Sequence, residues 1–309
     1  MRGMLVVDLT RYVPGAFASS ELQRLGARVV RLEQPGGEPM RATAPQWHDV
    51  LNAGKESVVC DLPADLDLAL ALLARADVVL ESFRPGVAER LGVGPETVSD
   101  RAVYCSITGF GRGGRHEQRA GHDLNYIGWA GLLADTAPAL PPVQVADLAA
   151  GALGAVTEIL AALLLRERTG TGAHIVVSMT HGSYALAPRT PVLTQGFACY
   201  SIYDCADGRM LTVAALEPKF FARLCQLLER PELAEAQYDA DQPALKEQLA
   251  GVFAQGPLED WLRLFETEDV CVGPVATLAE AAGDLGVPAH GTAPEAGAHT
   301  AEWRRAVGL

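Results

Sequence analysis

His122 and Asp147 are the side chains in this chain best suited to moving a proton, one an imidazole and the other a carboxylate. They stand 25 positions apart, separated by a short helical pattern and the Pro-rich turn from Pro138 to Pro142. Such a turn can fold one residue back toward the other. A pair of this kind can donate and accept a proton between them. Taken singly, each residue has a plainer use. Asp147 directly precedes a long apolar run, where an aspartate commonly caps free N–H groups. Glu217, just before Pro218, is equally well placed as a cap, and a lone histidine is more often structural than catalytic.

The elements that must position the pair are legible on either side of it. Leu148 to Leu165 is the most apolar helical stretch. Thr157 and Glu158 interrupt it and Arg166, Glu167 and Arg168 close it, so it reads as an all-round apolar helix buried in a core and not as a membrane span. Upstream, Leu5 to Leu9, Arg28 to Glu33, Ser57 to Leu62, Asp77 to Glu81 and Val103 to Thr108 read as strands, with helices over Gly15 to Leu25 and Ala64 to Ala76. This rhythm predicts an α/β fold, a parallel sheet covered by helices, whose ligands bind beyond the carboxyl ends of the strands. Gly109 to Gly114 follows a strand and loosely resembles a dinucleotide-binding glycine loop, but its spacing is wrong and no apolar-periodic helix opens after it. A flexible glycine loop beside a pocket is the better account.

Downstream, His174 to Met179 reads as a strand and Thr180 to Leu186 as a linking helix. Tyr203 to Leu216 is a hairpin with Asp207-Gly208 at its turn. Helices over Glu217 to Arg230, Ala244 to Ala254 and Leu258 to Phe265 and a strand over Val270 to Val275 complete a compact α+β unit. A Gly-, Pro- and Ala-rich linker from Gly283 to Ala298 precedes a last helix, Thr300 to Val307. The expected organisation is a large domain over residues 1–188, a small α+β domain over 189–282, and a tail, 283–309, that returns to the large domain.

Composition narrows the function. At 309 residues and 49% apolar content the chain can fill a sizeable core. A net charge of −13 argues against nucleic acid or an anionic membrane as main partner, although a local basic pocket can still take a polyanion. Six cysteines without a C-x-x-C pair signal neither a zinc site nor a disulfide framework and read as buried reduced thiols. No basic leader with an apolar stretch follows Met1, so the cytoplasm is the expected compartment.

Six blocks in order carry a resemblance: Glu33-Gln34-Pro35-Gly36-Gly37, Leu51-Asn52-Ala53-Gly54-Lys55, Glu81-Ser82-Phe83-Arg84-Pro85-Gly86, Gly121-His122-Asp123-Leu124-Asn125-Tyr126, Arg166-Glu167-Arg168-Thr169-Gly170 and Tyr203-Asp204-Cys205-Ala206-Asp207-Gly208. With them the chain resembles, over most of its length, the family III CoA-transferases and α-methylacyl-CoA racemases of the CaiB/BaiF type. The resemblance implies a Rossmann-like large domain, a small α+β domain, and two chains interlocked as a homodimer. It implies an acyl-CoA substrate, with coenzyme A part of that substrate, no prosthetic group and no metal.

On the racemase branch, matching positions make His122 and Asp147 the acid/base groups on either side of the substrate's α-carbon, with Glu217 supporting the histidine. On the transferase branch, Asp147 is instead a nucleophile that becomes an acyl anhydride. Arg84, Arg90 and Lys55 fall at family positions suited to the CoA phosphates, Gln34 stands where relatives often carry arginine, and Ala53 and Glu56 replace commonly basic residues. Asn125 and Tyr126 could orient the pair or line the pocket, although Tyr126, Trp129 and Leu132 at helical spacing read as core. Ile127, Trp129 and Leu133 suggest apolar walls, and helix N-terminal amides near Asp147 are expected to face the developing enolate charge. The segment from Pro191 to Tyr200 keeps Gly196 but lacks the glycine run that shields the transferase intermediate, which leans toward the racemase. The expected function is therefore racemisation of 2-methylacyl-CoA thioesters by 1,1-proton transfer through an enolate. CoA transfer and non-catalytic acyl-CoA binding are the alternatives.

Overall fold

Short runs rich in valine build the sheet that organises the N-terminal part of the chain. In the computed structural model, which describes residues 1–187 and 190–309, the strands are β1 (Leu5–Asp8), β2 (Arg28–Glu33), β3 (Glu56–Val59), β4 (Val78–Glu81), β5 (Val103–Thr108) and β6 (Ala173–Ser178). They pair in parallel in the order β3-β2-β1-β4-β5-β6. The order reverses beside β1, so a crevice opens where the carboxyl ends of β1 and β4 diverge.

Alternation along the strands buries both faces. Val6, Val29, Val78 and Val103 pack against the helices Tyr12–Arg24 and Gly154–Thr169, while Val7, Val30, Val79 and Tyr104 pack against the helix Leu66–Leu73 and Trp303. Full burial of such a side chain stabilises by about 1.5–3 kcal/mol. The exposed edge, β3, is covered by the C-terminal segment. His299 Nδ1 accepts from the Ser57 N–H at 3.1 Å and Thr300 Oγ1 from the Val59 N–H at 2.9 Å, which blunts an edge that would otherwise offer unpaired amides.

Residues 1–187 and 289–309 form one compact unit, and a second takes the chain between them. The expected boundary between residues 188 and 189 lies outside the described residues. In the second unit, β7 (Tyr200–Asp204) and β8 (Met210–Ala214) form the hairpin, with Gly208 at φ +75° in its turn, and β9 (Val272–Pro274) pairs antiparallel with β8. Helices Pro218–Leu227, Gln242–Phe253 and Leu258–Phe265 flank this sheet, with Leu211, Phe221, Leu224 and Phe253 at its centre. Five cysteines are buried, but Cys271 is exposed at the start of the turn into β9, so the expectation that every thiol is buried does not hold.

Two departures from the sequence pattern bear on the site. The first helix begins at Tyr12 and not at Gly15, because Tyr12 adopts φ +63° and turns the chain directly out of β1. The apolar helix expected over Leu148 to Leu165 opens earlier, as a π-helix over Val145–Leu153 that runs into the α-helix Gly154–Thr169. Its burial is one-sided. Ala155, Ile159 and Leu163 lie in the core while Leu153, Leu160, Leu164 and Leu165 are exposed, so this helix is apolar on its exposed face as well.

Candidate active site

The two strand ends at the switch point lead directly into the site. After β1 come Arg11 and Tyr12, after β4 come Ser82, Phe83 and Arg84, and after β5 comes Gly109; all six line one cavity of ≈ 520 Å³ together with His122, Asn125, Tyr126, Asp147 and Met179. A second cavity of ≈ 510 Å³ lies beyond the ends of β1, β2 and β3, and includes Arg31, Gln34 and Asp61. Arg11 and Phe83 line both.

His122 sits at the N-cap of the helix Asp123–Trp129, and its N–H donates to Asn125 Oδ1 at 3.1 Å. Asn125 thus fixes the backbone of the histidine. Its neighbour Tyr126 is wedged between two glycines: a β-carbon at Gly109 would fall 2.5 Å from the Tyr126 ring, and one at Gly121 2.7 Å from it. The Tyr126 hydroxyl donates to the Gly121 carbonyl, and burial, aided by the charge of Asp147, pushes it up to about 12. The glycine run after β5 therefore holds this aromatic close and does not cradle a pyrophosphate.

Asp147 does not cap its helix. It lies within the first turn of the π-helix, whose N-cap is Gln144, and no described residue donates to its carboxylate. Its N–H donates to Asp123 Oδ1 at 2.9 Å. That amide, one of those at the helix N-terminus, is therefore already occupied. Asp147 is 8% exposed and Asp123 3%. Burial first, and the charge of Asp123 second, raise the Asp147 carboxyl from the ordinary range to about 7. A π-turn is an uncommon segment that tends to mark functional positions, and the periodicity of apolar residues gave no signal of it. Close packing accompanies it: a β-carbon at Gly182 would fall 2.8 Å from that of Ala150.

The cations sort differently from expectation. Arg84 lines the cavity that holds His122 and Asp147. Arg90 is exposed and lines neither cavity. Lys55 is turned inward at 3% exposure, its ammonium donating to the Ala16 carbonyl (2.7 Å), Ser19 Oγ (2.7 Å) and Asn52 Oδ1 (3.0 Å). All three of its donors are used, and it lines neither cavity. Arg11 and Arg119, which sequence reasoning passed over, join Arg84 in the cavity, and none of the three takes part in an ion pair among the described residues. Arg119 lies three residues before His122, just ahead of its block, and Arg11 follows a strand end, so both had a positional signal. The apolar walls come from Pro14, Phe83, Pro85, Ile107 and Met179. Ile127 is instead in the core, and Trp129 is half-exposed against Phe110 and His116.

Glu217 belongs to the second unit. It is the N-cap residue of Pro218–Leu227 through its backbone carbonyl, which accepts from Phe220 and Phe221, and its exposed carboxylate takes no cap hydrogen bond.

Fold and cavity together define an α/β protein of the Rossmann-like class whose candidate site lies at the switch point of its parallel sheet. The chain belongs to CoA-transferase family III, whose profile matches residues 1–307. It is 35% identical to the human alpha-methylacyl-CoA racemase, over 91% of this chain and 78% of that protein. It is 33% identical to an acetyl-CoA:oxalate CoA-transferase of Acetobacter aceti, over 91% of this chain and 82% of that one. Among solved structures, a CAIB/BAIF family protein from Brucella suis superposes with a TM-score of 0.84 at 26% identity, covering 99% of this chain and 98% of that one.

Proposed function

We propose that this protein racemises 2-methylacyl-CoA thioesters by 1,1-proton transfer. The observation that carries the proposal is that His122 and Asp147 line one cavity, with no donor to the Asp147 carboxylate among the described residues; burial and the charge of Asp123 raise that carboxyl to about 7. A group that titrates near the working pH can both take and give a proton. One residue removes the α-proton, the C–H electron pair enters an enolate delocalised onto the thioester oxygen, and the other residue returns a proton to the opposite face.

Coenzyme A enters as part of the substrate, and the guanidiniums of Arg11, Arg84 and Arg119, without an ion pair among the described residues, supply positive potential for its phosphates in a chain of net charge −13. Gln34 lines the adjoining cavity, where it offers hydrogen bonds without charge. The working form is a cytoplasmic homodimer with no prosthetic group, no metal, and no nucleic-acid or membrane partner. Leu160 and Leu164, with Leu153 just before them at the end of the π-helix, give the Gly154–Thr169 helix an exposed apolar face suited to a second chain. Incubation with a 2-methylacyl-CoA in deuterated water tests the reaction: α-deuterium enters the product, and His122→Ala and Asp147→Ala suppress it.

A second reading is CoA transfer between carboxylic acids with Asp147 as nucleophile. Identity to the Acetobacter transferase at 33% favours it, as does a carboxylate that takes no donor among the described residues. Hydroxylamine then inactivates the enzyme in the presence of an acyl-CoA and modifies Asp147, which proton transfer does not predict.

A further inference from the structure

We infer that Tyr12 is a positioning residue for His122. Its backbone is locked by a buried carboxylate, and its ring stands edge-on to the imidazole in the cavity.

Tyr12 opens the first helix at φ +63°, a left-handed conformation that a bulky side chain rarely adopts and that glycine would adopt without strain. Strain of this kind persists where the surroundings over-determine it. Here the Tyr12 N–H donates to Glu38 Oε1 at 2.9 Å, while Glu38 Oε2 accepts from the Met40 N–H at 2.7 Å. Glu38 is 4% exposed, and its own N–H donates to Glu33 Oε2 at 2.9 Å. Glu33 in turn is gripped by Arg41 through both oxygens, at 2.6 and 2.7 Å, and by Ser57 at 2.6 Å. The chain of bonds ends on the C-terminal segment, where Arg41 donates to the Pro294 carbonyl and Ser57 Oγ accepts from the Gly297 N–H.

What this scaffold secures is not burial. The Tyr12 side chain remains 45% exposed, although it follows a strand end at the centre of the sheet. Its ring contact among the described residues is with His122, centroids 6.0 Å apart and planes at 86°, an edge-to-face arrangement favoured by aromatic quadrupoles. Both side chains line the same cavity. A helix start alone would be served better by glycine or asparagine, and a core residue would be covered. A ring held against an imidazole accounts for both the strain and the exposure, since it limits the rotamers open to His122.

The inference rests on the proton-transfer role of His122, and two readouts keep the failures apart. The first is α-deuterium exchange by Tyr12→Gly, which removes the ring and relieves the backbone. The expected result is a thermal midpoint at or above that of the unaltered protein, kcat for exchange lower by about 10- to 100-fold through misorientation of the base, and KM within about 3-fold. Tyr12→Phe, which keeps the ring, should stay within about 2-fold of the unaltered rate. The second is the NMR signature of the His122 ring, labelled with carbon-13 and nitrogen-15. It should show one rotamer in the unaltered protein and in Tyr12→Phe, and averaging in Tyr12→Gly. Tyr12→Asn, also at ease in the left-handed region, repeats both measurements should the glycine variant fold poorly. An unchanged His122 ring signature in Tyr12→Gly overturns the inference, as does an unchanged exchange rate. A loss in Tyr12→Phe as large as that in Tyr12→Gly overturns it too, because the hydroxyl and not the ring would then matter. Absence of exchange in the unaltered protein overturns the proposed reaction, and the ring signature still decides the case for Tyr12.

Discussion

The N–H of Asp147 donates to the carboxylate of Asp123 at 2.9 Å, so the residue next to His122 fixes the turn that carries Asp147. The same carboxylate adds its negative charge to the burial that raises Asp147 to about 7. One short contact thus ties the two candidates together in space and also tunes one of them.

Asp123→Asn keeps an oxygen that can accept from the Asp147 N–H but removes the charge. The Asp147 carboxyl should then ionise at lower pH. In the direction where Asp147 acts as base, exchange rises with pH through about 7 in the unaltered protein, and in the reverse direction it falls above about 7. Both limbs should move to lower pH in the variant, measured as kcat against pH for each enantiomer. Limbs that do not move would show that Asp123 has no electrostatic part.

Asp147→Asn should stabilise the fold in a pH-dependent way. A carboxyl raised in the folded state favours folding fully only below the ordinary carboxylate range, and that contribution is lost as pH rises through about 7. At pH 8 the ionised, buried group costs up to ~4 kcal/mol, at ~1.4 kcal/mol for each tenfold change in its acid dissociation constant on folding. The variant, which cannot ionise, should gain in chemical-denaturation stability between pH 4 and 7 and level off above. A gain of equal size at every pH would speak against a perturbed carboxyl.

The proposed function separates the cations into CoA binders and a structural post. Arg84→Ala and Arg119→Ala should each raise KM for an acyl-CoA about 10-fold with little change in kcat, as expected when uniform binding is lost. Lys55→Met leaves the Ala16 carbonyl, Ser19 and Asn52 without their donor and should cost about 2–4 kcal/mol of stability while leaving KM of the folded enzyme unchanged. A Lys55→Met protein of unaltered stability and weakened CoA binding would reverse that assignment.

Strand positions were the most legible part of the chain. Arg28–Glu33 and Val103–Thr108 match the expected bounds residue for residue, because strands covered on both faces carry apolar and β-branched residues through most of their length. His122 and Asp147 were legible as residue types in a distinctive block, and they do share a cavity. The π-turn beneath Asp147 was not legible, since a one-residue widening leaves the apolar pattern of the following helix intact. Lys55 was misplaced for a related reason: its block marks where the chain is, but only packing decides whether an ammonium faces inward. Tyr12 was passed over because a left-handed residue other than glycine has no sequence signal, and Asp123 because a carboxylate beside a histidine looks like an ordinary first-turn acid.

At the centre of the proposed mechanism, His122 and Asp147 exchange the α-proton of an acyl thioester between them. Incubating each enantiomer of a 2-methylacyl-CoA in deuterated water and following α-deuterium by NMR tests it directly. Deuterium is expected in the inverted product, with a loss of about 100-fold or more in His122→Ala and Asp147→Ala. A protein that incorporates no deuterium, yet is inactivated by hydroxylamine with modification at Asp147, would contradict it.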